Sequence, residues 1–217
     1  MELKGLKINF LGDSITESTG ASCVENGYVN QVAVRTGAIC RNYGIGGSRI
    51  AKQKTPSENP RHDMYFSSRV EEMDPDADIV VVFGGTNDFG HGDASLGMFS
   101  DRTADTYYGG LHELFLKLIA KYPDSKIVVL TPLHRANEDN PRGDCKESPY
   151  GVLKAYVDML RNVAEYYSLP VLDLYKVSGI QPKIPVIRET YMPDGLHPND
   201  KGHSILADKV IKFLKAL

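Results

Sequence analysis

The amino-acid sequence predicts a single α/β domain in which helices cover both faces of a five-stranded parallel sheet. Strand-like and helix-like segments alternate along the whole chain, which is the pattern of a parallel sheet. Several strand candidates are unbroken apolar runs, as expected for strands buried on both faces. No repeat, low-complexity segment or Gly/Ser linker divides the 217 residues. We therefore expect one three-layer α/β/α domain over residues 1–217.

Each element is predicted from a local pattern. The strand candidates cover residues 6–11, 38–42, 78–83, 126–130 and 171–174. The helix candidates between them cover residues 28–36, 64–73, 103–122, 149–167 and 200–217. Gly37 fits a C-cap, and Ser148 followed by Pro149 fits an N-cap and first helical position. Asn199 or Asp200 fits the cap of the last helix.

Composition narrows the function classes. Lys and Arg total 25 and Asp and Glu total 28, so the net charge of −3 predicts neither a nucleic-acid partner nor an anionic membrane surface. The longest apolar runs fall far short of the roughly 20 residues that span a bilayer. Oligomeric state is not readable from these features.

The cysteines and the N-terminal sequence indicate the compartment. Cys23, Cys40 and Cys145 are an odd number without a C-x-x-C pair, which favours reduced thiols over disulfides or a zinc site. The N-terminal segment runs into a strand without the regions of a signal peptide. We expect a cytoplasmic protein, with a secreted protein whose leader has been removed as the alternative.

Chemistry-bearing residues follow the predicted strands. In an open parallel sheet, ligands bind beyond the carboxyl ends of the strands. The segments in that position are residues 12–16, 43–48, 84–88 and 131–135, with residues 194–198 after a longer loop. They bring a serine, glycine backbone donors, an amide and a histidine with a carboxylate to one edge.

Ser14 and His197 are the candidate nucleophile and base. A serine hydroxyl is a weak nucleophile unless a base takes its proton and a third group orients that base. Asp194 precedes His197 by three residues and can hold one of its ring nitrogens. Taken alone, Ser14 fits a turn or helix cap better than a nucleophile, and the Asp194–His197 pair fits a structural role such as capping better than a catalytic one. Their combination favours catalysis.

The other five histidines are weaker candidates for the base. One lies inside a helical pattern, three lie in polar loops without an obvious orienting carboxylate, and one is expected on the surface of the last helix. In that order they are His112; His62, His91 and His134; and His203.

Three groups are candidates to stabilise the oxyanion of acyl transfer: the N–H of Ser14, the N–H of Gly47 and the side-chain amide of Asn87. A permissive turn is the alternative role for the glycines, and turn formation beside Asp88 is the alternative for Asn87.

With these residues assembled, the sequence resembles the SGNH hydrolases, also called the GDSL esterase/lipase family. The G-D-S block stands at residues 12–14, the oxyanion-glycine block at 42–47, G-x-N-D at 85–88 and D-x-x-H at 194–197. Ile15 stands where leucine is often found in the family. Gly47 takes the oxyanion position, although the adjacent Gly46 leaves the register open by one residue.

The resemblance implies a flavodoxin-like three-layer sandwich, no cofactor, and ester or thioester hydrolysis through an acyl-serine intermediate. By this similarity Ser14 attacks the carbonyl, His197 transfers the proton and Asp194 fixes the tautomer. Gly47 and Asn87 complete the oxyanion site with the Ser14 N–H. The residues themselves also disfavour a nucleotide cofactor, since Arg49 stands where G-x-G-x-x-G needs its third glycine.

The substrate is predicted from the loops nearest the site. Residues 52–63, 90–102 and 134–147 are mostly polar, which favours a short-acyl or O-acetyl ester of a polar molecule or carbohydrate over a long-chain lipid. A lysophospholipase- or thioesterase-type hydrolase is one alternative, and a non-catalytic ligand-binding module is another. The weak candidates for substrate contact are Arg49, His134, Arg135 and Tyr191; ordinary surface or packing roles are their alternatives.

Overall fold

The computed structural model describes all residues from Met1 to Leu217 and confirms the predicted architecture. Five parallel strands form one sheet in the order β2-β1-β3-β4-β5, which is the flavodoxin-like arrangement. The strands are β1 (Lys7–Gly12), β2 (Ile39–Gly44), β3 (Ile79–Phe83), β4 (Lys126–Leu130) and β5 (Val171–Leu172).

The register of the sheet brings the strand ends together. Gly12 at the end of β1 pairs with Gly44 of β2 on one side and with Phe83 of β3 on the other. The loops that follow these three strands therefore open at one edge, as the motif positions require.

Helices cover both faces of the sheet. The α-helices are α1 (Ser14–Glu17), α2 (Tyr28–Thr36), α3 (Thr86–Gly90), α4 (Tyr107–Lys121), α5 (Leu153–Tyr166), α6 (Leu174–Val177), α7 (Pro185–Tyr191) and α8 (Asp200–Ala216). Alternate residues of β3 point to opposite faces, so Val80 and Val82 pack with α4 and α5, whereas Ile79 and Val81 pack with α2 and α8.

Local capping signals set several helix ends. Helix α2 ends at Gly37, whose φ of +72° is the left-handed C-cap conformation. The side chain of Asn199 accepts a hydrogen bond from the Gly202 N–H, so Asn199 is the N-cap of α8. Both boundaries were expected from the residue types.

Three predicted helices differ from the structure. The helix predicted over residues 103–122 begins at Tyr107, because the Thr106 side chain caps it by accepting the Gly109 N–H. The segment predicted as a helix over residues 64–73 contains a 3₁₀ helix, Phe66–Glu72, because Arg69 reaches back to the Tyr43 and Gly12 carbonyls at the ends of β2 and β1. Helix α5 begins at Leu153 and not at Pro149, since the Leu153 N–H is bound by the Glu138 carbonyl of the preceding loop.

His203 corrects another expectation. It lies on α8 but is fully buried, and its ring stacks on Tyr28 at 6.3 Å between centroids. Its Nδ1 accepts a hydrogen bond from the Tyr28 N–H. His203 is therefore a core residue that joins α8 to α2.

No helix of the structure combines the length and the apolar character needed to cross a bilayer. No group of three or more His, Cys, Asp or Glu side chains is arranged to hold a metal ion.

Candidate active site

Ser14 is presented by a tight turn at the end of β1. Asp13 is the N-cap of α1 and accepts the Ile15 N–H through Oδ1 at 3.0 Å. The turn needs glycine at position 12, because a Cβ there would lie 2.0 Å from Thr16 Oγ1. This geometry places Ser14 as the first residue of α1 at the open edge of the sheet.

Ser14, His197 and Asp194 form a continuous hydrogen-bonded chain. Ser14 Oγ lies 3.0 Å from His197 Nε2, and His197 Nδ1 lies 2.7 Å from Asp194 Oδ2. An ionised carboxylate only accepts, so Nδ1 carries the proton and Nε2 is free to accept from Ser14. The structure thus brings the three predicted residues together from opposite ends of the chain.

Asp194 also fixes the loop on which the histidine lies. Its Oδ1 accepts the N–H groups of Leu196 at 2.8 Å and His197 at 2.7 Å. Burial acts to raise the pKa of Asp194, but these bonds and the His197 ring lower the pKa below its ordinary value. Asp194 is therefore ionised, as an orienting carboxylate must be.

The choice between Gly46 and Gly47 depends on Glu17. The Gly46 N–H donates to Glu17 Oε2 at 2.6 Å, whereas the Gly47 N–H has no acceptor within the chain. Gly47 has a φ of +73°, and a Cβ on it would lie 2.3 Å from the His62 ring. The free N–H and the need for glycine both favour Gly47 as the oxyanion donor.

Asn87 lies in α3 with its amide fixed on two sides. Its Nδ2 donates to the Ser48 carbonyl at 2.9 Å, and its Oδ1 lies 3.2 Å from His91 Nε2. An amide nitrogen has two N–H groups, so the second remains available to an oxyanion.

Asp88, the last residue of G-x-N-D, links the two segments that carry the candidate oxyanion donors Gly47 and Asn87. It is buried, and its two carboxylate oxygens accept the N–H groups of Ile50 at 2.9 Å and Ala51 at 2.8 Å. Asp88 therefore holds the chain that follows Gly47 against α3, which carries Asn87.

Burial raises the pKa of Asp13 to about 7, against the lowering effect of the Ile15 N–H bond. The pKa in the folded state lies above its ordinary value near 4. Protonation of Asp13 therefore stabilises the fold at low pH, and this contribution is lost as the pH rises through about 7.

We expect Asp13→Asn, which keeps the capping oxygen but cannot ionise, to become more stable relative to the natural sequence as pH rises. Between about pH 4 and about pH 8 the difference in unfolding free energy should grow by up to about 4 kcal/mol. Urea denaturation at several pH values measures it, with Asp124→Asn on the surface as the control. A pH-independent difference would contradict the assignment.

Burial counts against two of the predicted substrate contacts. Arg49 and Arg135 are only 3% and 4% exposed. Arg49 donates to the His62 carbonyl at 3.0 Å, and Arg135 donates to both oxygens of Asp144 at 2.6 and 2.7 Å. The terminal nitrogens of both guanidinium groups bond within the protein, and both side chains are buried, which disfavours a direct contact with a substrate.

His134 and Tyr191 also have partners within the protein. His134 Nδ1 lies 2.7 Å from Glu138 Oε2, and its ring lies against Tyr175 at 3.8 Å between centroids. Tyr191 is half-buried and packs against the core beneath α8. These contacts indicate that His134 braces its loop and that Tyr191 contributes to packing.

Three residues contact the site in roles that the sequence did not predict: Glu17, Asp88 and His91, of which His91 was a weaker candidate for the base. Asp88 had a signal, since it belongs to the G-x-N-D block. Glu17 had no such signal, because its partner Gly46 lies 29 residues away in the sequence. His91 had no such signal either, because its contact with Asn87 depends on how the segment after β3 folds.

Comparison with known proteins gives a family match over most of the chain. A sequence model of the GDSL-like Lipase/Acylhydrolase family matches residues 10–205. No curated protein sequence matches the chain.

Solved structures resemble the chain over its full length. One crystal structure is 32% identical with a TM-score of 0.86, covering 100% of this chain and 99% of that chain. A protein from Lactobacillus plantarum is 28% identical with a TM-score of 0.83, covering 98% of each chain. A two-domain esterase active on acetylated mannans is 21% identical with a TM-score of 0.61, covering 98% of this chain and 49% of that one.

Proposed function

The chain belongs to the GDSL-like lipase/acylhydrolase family, and from that membership we propose that it is a serine esterase acting through an acyl-serine intermediate. The observation that carries the proposal is the chain of hydrogen bonds from Ser14 Oγ through His197 to Asp194, at 3.0 and 2.7 Å. A nucleophile, a base and an orienting carboxylate in this geometry are what acyl transfer requires.

In the acylation step, Ser14 Oγ bonds to the ester carbonyl carbon while its proton passes to His197 Nε2. The carbonyl oxygen becomes an oxyanion, which accepts hydrogen bonds from the N–H groups of Ser14 and Gly47 and from the Asn87 amide. When the intermediate collapses, the bond to the alcohol oxygen breaks and His197 returns the proton to that oxygen.

In the deacylation step, water attacks the acyl-serine carbonyl and gives its proton to His197. Collapse of the second tetrahedral intermediate returns that proton to Ser14 Oγ and releases the carboxylic acid. The same donors hold the second oxyanion, so no cofactor is needed for either step.

The substrate we propose is a short-acyl or O-acetyl ester of a polar molecule or carbohydrate. The loops around the site supply few large apolar side chains. Residues 52–63 and 134–147 contain no Leu, Ile, Val, Met, Phe or Tyr, and residues 90–102 contain three such side chains, Leu96, Met98 and Phe99. A long acyl chain needs a continuous apolar groove.

The esterase active on acetylated mannans supports this substrate class only through a shared fold. Lysophospholipase- or thioesterase-type hydrolysis is the alternative within the same chemistry. A non-catalytic ligand-binding module is the alternative outside it, and the aligned Ser14 and His197 count against it.

The acyl-chain profile tests the substrate proposal. With p-nitrophenyl esters we expect kcat/KM to be highest for acetate and to fall by at least about tenfold for an acyl chain of eight carbons. The reason is that the site offers the longer chain no continuous apolar surface to pack against. Acetylated xylan oligosaccharides should release acetate. A rise in kcat/KM with chain length would favour the lysophospholipase alternative.

Trapping of the acyl-serine tests the reaction itself. A fluorophosphonate should label the natural chain once, at Ser14, and peptide mass spectrometry locates the label. The Ser14→Ala variant serves as the control and should remain unlabelled. Labelling at another residue, or none with retained ligand binding, would contradict the proposal.

We also propose that the protein works in a reducing cytoplasm. The support for this proposal is that Cys23, Cys40 and Cys145 are an odd number without a C-x-x-C pair.

A further inference from the structure

His91 lies between a buried arginine and the candidate oxyanion amide. Arg49 Nη2 is 2.6 Å from His91 Nδ1, and His91 Nε2 is 3.2 Å from Asn87 Oδ1. The order Arg49, His91, Asn87 forms a chain of hydrogen bonds that ends on the group facing the oxyanion.

The donors and acceptors in this chain are fixed by chemistry. A guanidinium only donates, so His91 Nδ1 must accept and His91 Nε2 must carry the ring proton. That N–H then donates to Asn87 Oδ1. The reverse orientation of the Asn87 amide would set its oxygen against the Ser48 carbonyl oxygen and its NH₂ against the His91 N–H. Only one orientation of the amide satisfies all of these groups.

Burial keeps His91 in the neutral state that this arrangement needs. Desolvation and the nearby Arg49 charge lower the pKa of His91 to about 4. Arg49 is itself held by the His62 carbonyl at 3.0 Å, by Ser57 Oγ and by an ion pair with Asp63 at 3.6 Å. The guanidinium is therefore a fixed donor that does not depend on solvent.

We propose that His91, held by Arg49, is a positioning residue that keeps the Asn87 amide turned with its N–H toward the oxyanion of the reaction. This inference rests on the proposed esterase function. His91 touches neither the nucleophile nor the base in the structure, so its effect on the reaction passes through Asn87.

The effect should be sizeable because an amide has two nearly isosteric orientations about its last torsion. The reverse orientation would present Oδ1 to the oxyanion, where two negative oxygens repel. Loss of one good oxyanion donor typically costs about 10² to 10³ in kcat. A residue that holds this donor can contribute up to that factor and no more.

A matched pair of amide variants tests the proposal without removing a polar group. In His91→Gln the side-chain nitrogen can occupy the place of Nε2 and donate to Asn87. In His91→Asn the shorter amide can accept from Arg49 but cannot reach Asn87. We expect kcat to stay within about threefold for Gln and to fall at least about tenfold for Asn, with KM little changed in both.

His112→Asn is the control for losing a buried histidine elsewhere. His112 is buried in α4, where its Nδ1 bonds the Tyr167 hydroxyl at 2.8 Å. We expect this variant to keep the natural kcat. Equal kcat for the Gln and Asn variants of His91 would overturn the proposal.

A double-mutant cycle shows whether His91 acts through Asn87. Asn87→Ala should retain weak activity, lower by about 10² to 10³. Adding His91→Asn to that variant should change kcat by less than about twofold, because the amide it positions is gone. The same tenfold loss in both backgrounds would overturn the proposal.

The outcomes separate this inference from the proposed function. If Ser14→Ala is inactive and His91→Asn is fully active, only the positioning role fails. If Ser14→Ala retains natural activity, the esterase mechanism itself fails and the inference fails with it.

Discussion

Replacing Ser14 with alanine is expected to lower kcat for p-nitrophenyl acetate on the order of 10⁶-fold, the loss typical of removing a serine nucleophile. The hydroxyl oxygen is the atom that would bond to the substrate carbonyl. His197 is the one side chain to which this hydroxyl is hydrogen-bonded, so alanine leaves the proposed base without a nucleophile to activate. The variant would still bind the substrate and would keep the oxyanion donors. Hydrolysis slightly faster than the uncatalysed reaction in water is therefore consistent with the mechanism.

The fold should survive this substitution. Ser14 Oγ has one side-chain partner, His197, and alanine fits the first position of α1. We expect the midpoint of urea denaturation to change little, corresponding to less than about 1 kcal/mol. Unchanged hydrolysis by a folded Ser14→Ala variant would eliminate Ser14 as the nucleophile.

His197→Ala is expected to cause a loss of similar size, because a serine hydroxyl without a base is almost unreactive. The variant leaves a gap bounded by Ser14 and Asp194, whose side chains lie 3.0 and 2.7 Å from the missing ring. Added imidazole should enter this gap and restore part of the activity with saturation.

The control is the double variant Ser14→Ala/His197→Ala, which reports hydrolysis by imidazole alone. Because the two residues act as one unit, the double variant without imidazole should be no slower than either single variant. Two losses that multiply, or no saturable rescue above the control, would contradict the assigned role of His197.

The sheet and the motif positions were predictable because both depend on local sequence. The apolar run at 79–83 forms strand β3 within one residue of the predicted start, and Gly37 ends α2 as its type implies. Parallel strands share one carboxyl edge, so the order of the motifs was enough to bring Ser14 and Asn87 to one place, whereas His197 follows β5 only after α6 and α7.

Contacts between distant segments were not predictable in the same way. Arg49 was a candidate for substrate contact, as polar loop residues often are, but its loop folds inward over Asp88 and buries the guanidinium. The predicted helix at residues 64–73 became a 3₁₀ segment for a related reason, since Arg69 is drawn to the strand ends.

The sequence alone was enough to predict the sheet, the acylhydrolase family and the serine, histidine and carboxylate proposed for its reaction, because strand runs, turn glycines and short motifs depend on neighbours along the chain. Only the tertiary structure decided that Gly47 and not Gly46 has the free N–H, and that His91 lies within hydrogen-bond distance of Asn87. The reason is physical: which donor is already occupied depends on distances through space, and Glu17 lies 29 residues from Gly46 in the chain while bonding it at 2.6 Å.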